Sequence, residues 1–220
     1  MFLFGGVMKL LFSLFFVLFC LQNLLPSDFS FDTVNWTHNK KSSNMELYIN
    51  RDDCINAYKV ERTLSNQKAD KVVQNILDFK NYPNIFPRTK NFQLIKKIDD
   101  NNYFIYALID FFPMKNRDYY IILNYKKFED DEKTTHIISW SPPSEEYKSY
   151  YENKTKENER VNFINGRWKI IEYNNGDLYI SGEIYNNWNI NVSKSVLESF
   201  EKQNAFDMIS NILEYTFGIK

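Results

Sequence analysis

Apolar and polar residues alternate with period two in two early stretches, residues 45–49 and 57–64. Period two puts alternate side chains on one face of a strand, so the pair predicts a hairpin across residues 50–56. After Ser65 the period lengthens. Val72, Val73, Ile76, Leu77 and Phe79 recur at three- and four-residue spacing, one face of a helix. Ser65 or Asn66 is placed to cap its start. Tyr82-Pro83 is placed to end it, because proline disfavours helical backbone at the residue before it. Residues 84–87 add a short helical turn. Strand patterning returns over 92–98, 103–111, 119–128 and 134–140, with polar turns at 99–102 and 130–133. A charged loop containing Pro142 and Pro143 spans 141–159. A long strand follows over 160–173, with Gly166 marking a bulge. Asn174, Asn175, Gly176 and Asp177 signal a hairpin turn into a last strand over 178–185. A helix over 193–217 closes the pattern, with Ser193 at its start and Gly218 where a C-cap glycine belongs. Its inward positions are Val196, Leu197, Phe200, Met208, Ile209, Ile212 and Leu213.

The strand faces sharpen this picture. Ile138 and Trp140 share a face, as do Trp168 and Ile170, and Leu178, Ile180 and Ile184. The opposite faces carry Arg167 and Lys169, or Asp177 and Glu183. That is a sheet dry on one side and wet on the other, the usual state of an antiparallel sheet. A dry face needs a cover, and the long C-terminal helix is the only element large enough to supply it.

The first residues follow a different pattern. Lys9 leads into an apolar run over 10–21 broken only by Ser13, and Met8 is a plausible start. One lysine before a short apolar run reads as an export signal. The run is shorter than the ~20 residues of a spanning helix, though Leu24 and Leu25 extend it toward an uncleaved anchor. Leu18-Phe19-Cys20 resembles a bacterial lipoprotein box in which Cys20 is lipidated, with bulky Phe19 where that box has a small residue. The alternative is an ordinary apolar Cys20 inside the signal. The domain reading is therefore an export signal or anchor over 1–26, a polar linker over 27–43 with a short helix near 31–36, and one domain over 44–220. The chain has 27 basic and 28 acidic residues, so no global field attracts nucleic acid. Cys54, the other cysteine, sits in a polar turn as a free thiol. Asn35, Asn153 and Asn191 match the glycosylation pattern, which arises by chance in an Asn-rich chain.

Chemistry-bearing motifs are few. The chain has no G-x-S-x-G, phosphate-binding loop or G-x-G-x-x-G, and only two histidines, His38 and His136. His38 falls in the linker. His136 falls mid-strand on the face of Ile138 and Trp140, as a satisfied core histidine or a catalytic base. One histidine and one cysteine in the mature domain cannot build a typical structural zinc site, and no cofactor is expected. Arg117-Asp118 opens a predicted strand, either as a fold-stabilising pair or as a contact to a ligand head group.

Three segments then fall in a telling order: Asp78-Phe79-Lys80-Asn81-Tyr82-Pro83-Asn84-Ile85-Phe86-Pro87, Pro113-Met114-Lys115-Asn116-Arg117-Asp118-Tyr119, and Gly166-Arg167-Trp168-Lys169-Ile170. On a hairpin, helix, meander and long C-terminal helix, they resemble START domains, most closely the bacterial START-like members. The likeness covers roughly residues 45–217. It implies an α+β helix-grip fold, a curved antiparallel sheet wrapped around a long C-terminal helix with a hydrophobic cavity between them. It also implies non-enzymatic binding, with transfer, of a lipid or other hydrophobic small molecule. The expected cavity residues are Tyr106, Asp110, Arg117, His136, Trp140, Trp168, Phe200 and Ile209. Asp110 stands near the family's acid position, whereas Leu123 occupies the position where some relatives place an arginine, which departs from a sterol-type polar anchor. The rival readings are a cyclase or aromatase using His136, Tyr106 and Asp110, and an envelope-anchored interaction domain with a vestigial cavity. The remaining expectations are a monomer, exported to the periplasm or cell envelope, meeting membranes through its N-terminal segment or transiently during transfer.

Overall fold

The computed structural model describes residues 31–51, 56–112, 114–151, 158–161, 163–188 and 192–219. The expected export segment, Cys20, Cys54, Pro113, Asn153 and Asn191 lie outside the described residues. The chain divides into two compact units, Met1–Val34 and Asn35–Lys220. The described part of the first holds a 3-10 turn over Phe31–Thr33.

The second unit contains ten described strands: β1 (Thr37–Ser42), β2 (Met45–Arg51), β3 (Asn56–Ser65), β4 (Thr89–Lys97), β5 (Asn102–Ile109), β6 (Arg117–Glu129), β7 (Lys133–Ser141), β8 (Glu159–Arg160), β9 (Phe163–Tyr173) and β10 (Asp177–Asn187). They form one sheet in the order β1-β2-β3-β10-β9-β7-β6-β5-β4. Every pairing along that path is antiparallel, and β8 alone pairs parallel, with β6. The helices are α1 (Ala69–Leu77), α2 (Tyr82–Ile85), α3 (Lys148–Tyr151) and α4 (Lys194–Phe217). This is the helix-grip arrangement, a curved antiparallel sheet with a long C-terminal helix. α4 packs on β2, β3 and β10 and touches α1 and α2.

The core sits between sheet and helices. Val60, Leu178 and Ile180 face it from the strands, Val72 and Ile76 from α1, and Ala205, Ile209, Ile212 and Leu213 from α4. Each large aliphatic side chain buried there stabilises the fold by about 1.5–3 kcal/mol before chain entropy is counted. Asn75 Nδ2 donates to Thr216 Oγ1 at 2.9 Å and ties α1 to α4. Gly218 ends α4 in the left-handed conformation, φ 70°, and its N–H returns to Glu214.

Several expectations change. The linker reading ends at β1, an exposed strand paired with β2 through Ser43 and Asn44, both at positive φ. Its polar sequence carries no alternation, so only its partner reveals it. The start of α1 is not capped by Ser65 or Asn66. The N-cap is Lys68, without a side-chain cap, and Glu172 of β9 accepts from the Ala69 N–H at 2.9 Å instead. Gly166 marks no bulge, since its register with β10 runs unbroken and it pairs in register with Trp140 at the end of the β7 ladder. Its missing side chain makes room for Trp140, whose Cζ2 would lie 1.9 Å from an added Cβ. The loop over 141–159 contains a 3-10 turn at Glu145–Tyr147 and then α3. Tyr147 and Tyr150 cover Phe104 on the outer face of the sheet, at ring distances of 4.7 and 5.3 Å. Val196, expected inward on α4, is 55% exposed. The outer face of β9 and β10 is not simply wet: Glu183 is buried, and Arg167 donates to it through Nε at 3.0 Å and Nη2 at 2.8 Å.

Candidate functional site

The concave side of the sheet holds a cavity of about 350 Å³. α2 and the chain just after it wall one side, with Tyr82, Phe86, Pro87 and Arg88. Pro83 sits in the first turn of α2, where its missing N–H costs nothing and its fixed φ suits the helix. That stop turns the chain so that Tyr82 stacks on Phe92 of β4, with centroids 3.7 Å apart and planes 12° from parallel. The floor is the inner faces of β5, β6, β7, β9 and β10: Ile109, Tyr119, Ile121, Leu123, Trp140, Ile164, Trp168 and Ile184. These are alternate residues of successive strands, so the period-two pattern builds the floor directly. Trp188, just after β10, closes one end. α4 supplies Asn204, Asp207, Met208 and Asn211.

The spacing on α4 is i, i+3, i+4 and i+7, a second stripe beside the core stripe of Ala205, Ile209 and Ile212. The helix therefore shows the core an apolar face and the cavity a mostly polar one. Asp207 accepts from Gln203 Nε2 at 2.7 Å. Burial pushes both the Tyr82 and Tyr119 hydroxyls in the lining well above their ordinary pKa. Pro87 and Arg88 are exposed, which marks the solvent side of the cavity.

Of the residues expected to line the cavity, Trp140 and Trp168 do. Tyr106 lies on the outer face, its ring 5.0 Å from that of Tyr120. Asp110 is half-exposed beyond the end of β5, 3.3 Å from Lys90 Nζ. Phe200 packs on Phe111, with centroids 4.6 Å apart, next to Trp188. Ile209 is fully buried in the core, against the space over Gly182. His136 shares the concave face but lies away from the lining. Its Nδ1 is 2.9 Å from the Tyr125 hydroxyl, and burial, then Lys127, lower its pKa. Neighbours on a strand point to opposite faces, so Arg117 and Asp118 are not each other's partners. Arg117, buried, donates to the carbonyls of Lys115 at 2.7 Å and Trp188 at 3.3 Å and pairs with Glu159 at 2.9 Å. Asp118 is held from the other face by Arg160.

Sequence reasoning missed the α4 stripe, Tyr82, Phe86 and Trp188 as lining residues. The stripe's helical spacing was a usable signal. Trp188 had none, since its place depends on how the chain passes from β10 to α4. Leu123, where an arginine was the alternative, is buried and apolar in the floor. Among the described residues no group of His, Cys, Asp and Glu could hold a metal ion.

No family model matches the sequence, and no curated protein matches it. Solved structures do match in fold. One is a STAR-related lipid transfer protein from Xanthomonas axonopodis, with a TM-score of 0.68 at 16% identity over 82% of this chain and 98% of that one. Another is human StAR-related lipid transfer protein 5, with a TM-score of 0.71 at 13% identity over 84% of this chain and 88% of that one. The chain thus has the fold of START and StAR-related lipid transfer domains.

Proposed function

We propose that this protein is a non-enzymatic carrier that binds a lipid or other hydrophobic small molecule in the cavity between sheet and α4, and transfers it. The observation that carries this reading is the floor itself: eight aliphatic and aromatic residues from five strands, under a cavity of about 350 Å³. That volume lies within the usual range for a small-molecule site. Desolvation of an acyl chain or ring system would drive binding, at about 0.8 kcal/mol for each buried methylene. His136 is bonded to Tyr125 away from the cavity lining, which favours carriage over base catalysis. The fold of the lipid transfer proteins described above supports the same reading.

The experiment is extraction of the natively purified protein and mass spectrometry of what is released. One lipid per protein is expected. An empty protein that also takes up no fluorescent lipid from vesicles would sink the proposal.

The protein works as a monomer exported to the cell envelope, reaching membranes through its N-terminal segment or during transfer. The Lys9-led apolar run motivates the export reading. Sequencing the mature N-terminus in the native host tests it, and an unprocessed cytosolic protein would overturn it. A dimer in sedimentation would overturn the monomer.

A further inference from the structure

One large apolar side chain stands out of the surface beside the cavity mouth. Phe112, in the turn between β5 and β6, is 85% exposed. Single exposed apolar residues are common, but an aromatic ring left this open adds nothing to the core. The turn beneath it is firmly built. Its neighbour Phe111 is buried against Trp188 and Phe200, with the Arg117 guanidinium 5.4 Å from its ring centre. The Met114 N–H donates to the Phe111 carbonyl at 2.8 Å, and the Phe112 N–H donates to Asp110 Oδ1 at 3.3 Å. Val196, 55% exposed, lies one turn of α4 before Phe200 and so beside the same contact. Basic residues surround this tip. Arg88 is exposed at the cavity mouth, and its carbonyl accepts from the Asp110 N–H at 2.7 Å. Lys90 Nζ lies 3.3 Å from Asp110 and 3.5 Å from Asn116 Oδ1. Lys115 is exposed three residues after Phe112. Against these three cations stands the Asp110 carboxylate, and nearby Glu159 is matched by the buried Arg117. The tip is therefore basic on a chain whose net charge is -1.

We propose that Phe112, Val196 and the basic residues around them form a docking surface for an anionic lipid bilayer, which sets the cavity mouth against the membrane. This rests on the carrier reading and deepens it, since it names the face that meets the membrane. Phe112 enters the boundary between head groups and acyl chains, where aromatic rings are favoured. Arg88, Lys90 and Lys115 stay at the level of the head groups, where each strengthens binding to anionic lipid by about fivefold. Arg88 belongs both to the mouth and to the surroundings of the tip, so a docked tip brings the lipid phase to the opening. One protruding ring in a basic setting is too small a surface for a stable protein partner, whereas a bilayer needs only a ring to bury and charges to meet its own.

The test uses the full chain and phosphatidylcholine vesicles, with and without phosphatidylglycerol. The N-terminal apolar run can bind membranes by itself, so the readout is local to the tip. In Phe112→Trp, the added indole emission, taken as the difference from the parent protein, should shift to the blue on vesicles containing phosphatidylglycerol. Brominated acyl chains should quench it there, and less so on neutral vesicles. Phe112→Ser should slow lipid transfer between the anionic vesicles by about tenfold, while its uptake of lipid from detergent solution stays at the parent level. Lys90→Gln combined with Lys115→Gln should bring the ratio of transfer rates on anionic and neutral vesicles toward one, and added salt should do the same to the parent protein. All three positions are exposed, so the variants keep the fold. An indole at position 112 that keeps its aqueous emission would overturn the proposal and leave the carrier standing. Transfer untouched by Phe112→Ser, or quenching equal on neutral and anionic vesicles, would overturn it as well. A parent protein that takes up no lipid would sink the carrier reading, and the indole would still decide the docking surface.

Discussion

Asp118 and Arg160 form a two-point ion pair on the outer face of the sheet, with Arg160 Nε at 2.5 Å and Nη2 at 3.0 Å from the two carboxylate oxygens. Both side chains are almost fully buried, at 3% and 9% exposure. The pair joins the two-residue strand β8 to β6, and the guanidinium also lies 4.9 Å from the Tyr120 ring centre. The cavity is on the opposite face. Asp118→Asn should therefore cost about 3–5 kcal/mol of stability, because it leaves a buried cation without its counter-charge. Urea unfolding measures that loss. Lipid uptake at a temperature where the variant is folded should be unchanged, and a specific loss of uptake would contradict the placement. Replacing both partners with leucine should cost much less than either single change.

Glu201 makes a prediction about pH. It sits in α4 at 4% exposure, and its Oε2 has no hydrogen-bond partner. Burial raises its pKa to about 7, against smaller opposite effects from Tyr58 and Asn56, and Glu198 adds to the rise. Arg51 and Lys202 sit on Glu198 rather than on Glu201. A carboxyl whose folded pKa is raised stabilises the fold at low pH and loses that contribution as pH rises through the folded pKa. Stability should fall between about pH 4.5 and pH 7, by up to about 3 kcal/mol. Glu201→Gln should abolish this slope and be the more stable protein at pH 8. Thermal melts across that range of pH decide it, and an unchanged slope in the variant would refute the assignment.

His136 pulls the other way. Its folded pKa is lowered, chiefly by burial, so its contribution is present above the ordinary histidine pKa and lost as pH falls below it. His136→Gln should lose the Tyr125 hydrogen bond yet flatten the acid side of the stability profile. It should leave lipid uptake at neutral pH intact, because His136 lies away from the cavity lining. A large loss of uptake without unfolding would restore the catalytic or ligand-binding reading.

Gly166 and Trp140 face each other across β9 and β7, and Trp140 lines the cavity. Gly166→Ala puts a Cβ 1.9 Å from the indole, which has no flexible end to move. The ring must turn toward the cavity, so uptake of bulky lipids should drop at least as clearly as stability does. Gly182→Ala is the internal comparison. Its Cβ would meet the Met208 Cε at 2.0 Å, the far end of a flexible side chain. It should be the milder change in both measurements. Vesicle uptake assays with lipids of graded width read the difference, and equal effects of the two variants would argue against it.

Much of the fold was legible because its causes are local. The alternation in β2, β3, β5 and β9 and the three–four spacing in α1 and α4 depend only on backbone geometry and on which face meets water. Strand β1 was not legible, since a polar edge strand is defined by its partner. Trp140 and Trp168 could be placed on the concave face from period alone. The rest of the lining could not, because it depends on where α4 crosses the sheet and where α2 turns.

Residues 116–120 show the division between the two levels. The sequence by itself determined that a strand opens there and that Arg117 and Asp118 point to opposite faces, because side chains alternate along any strand. Only the tertiary structure decided that Glu159 and Arg160, some forty residues on, would take them as partners. The same holds for the cavity. Period and spacing set one apolar face on each element, but the space left between those faces arises from how the elements are docked. Packing across the chain is a property of pairs distant in sequence, and no local pattern carries it.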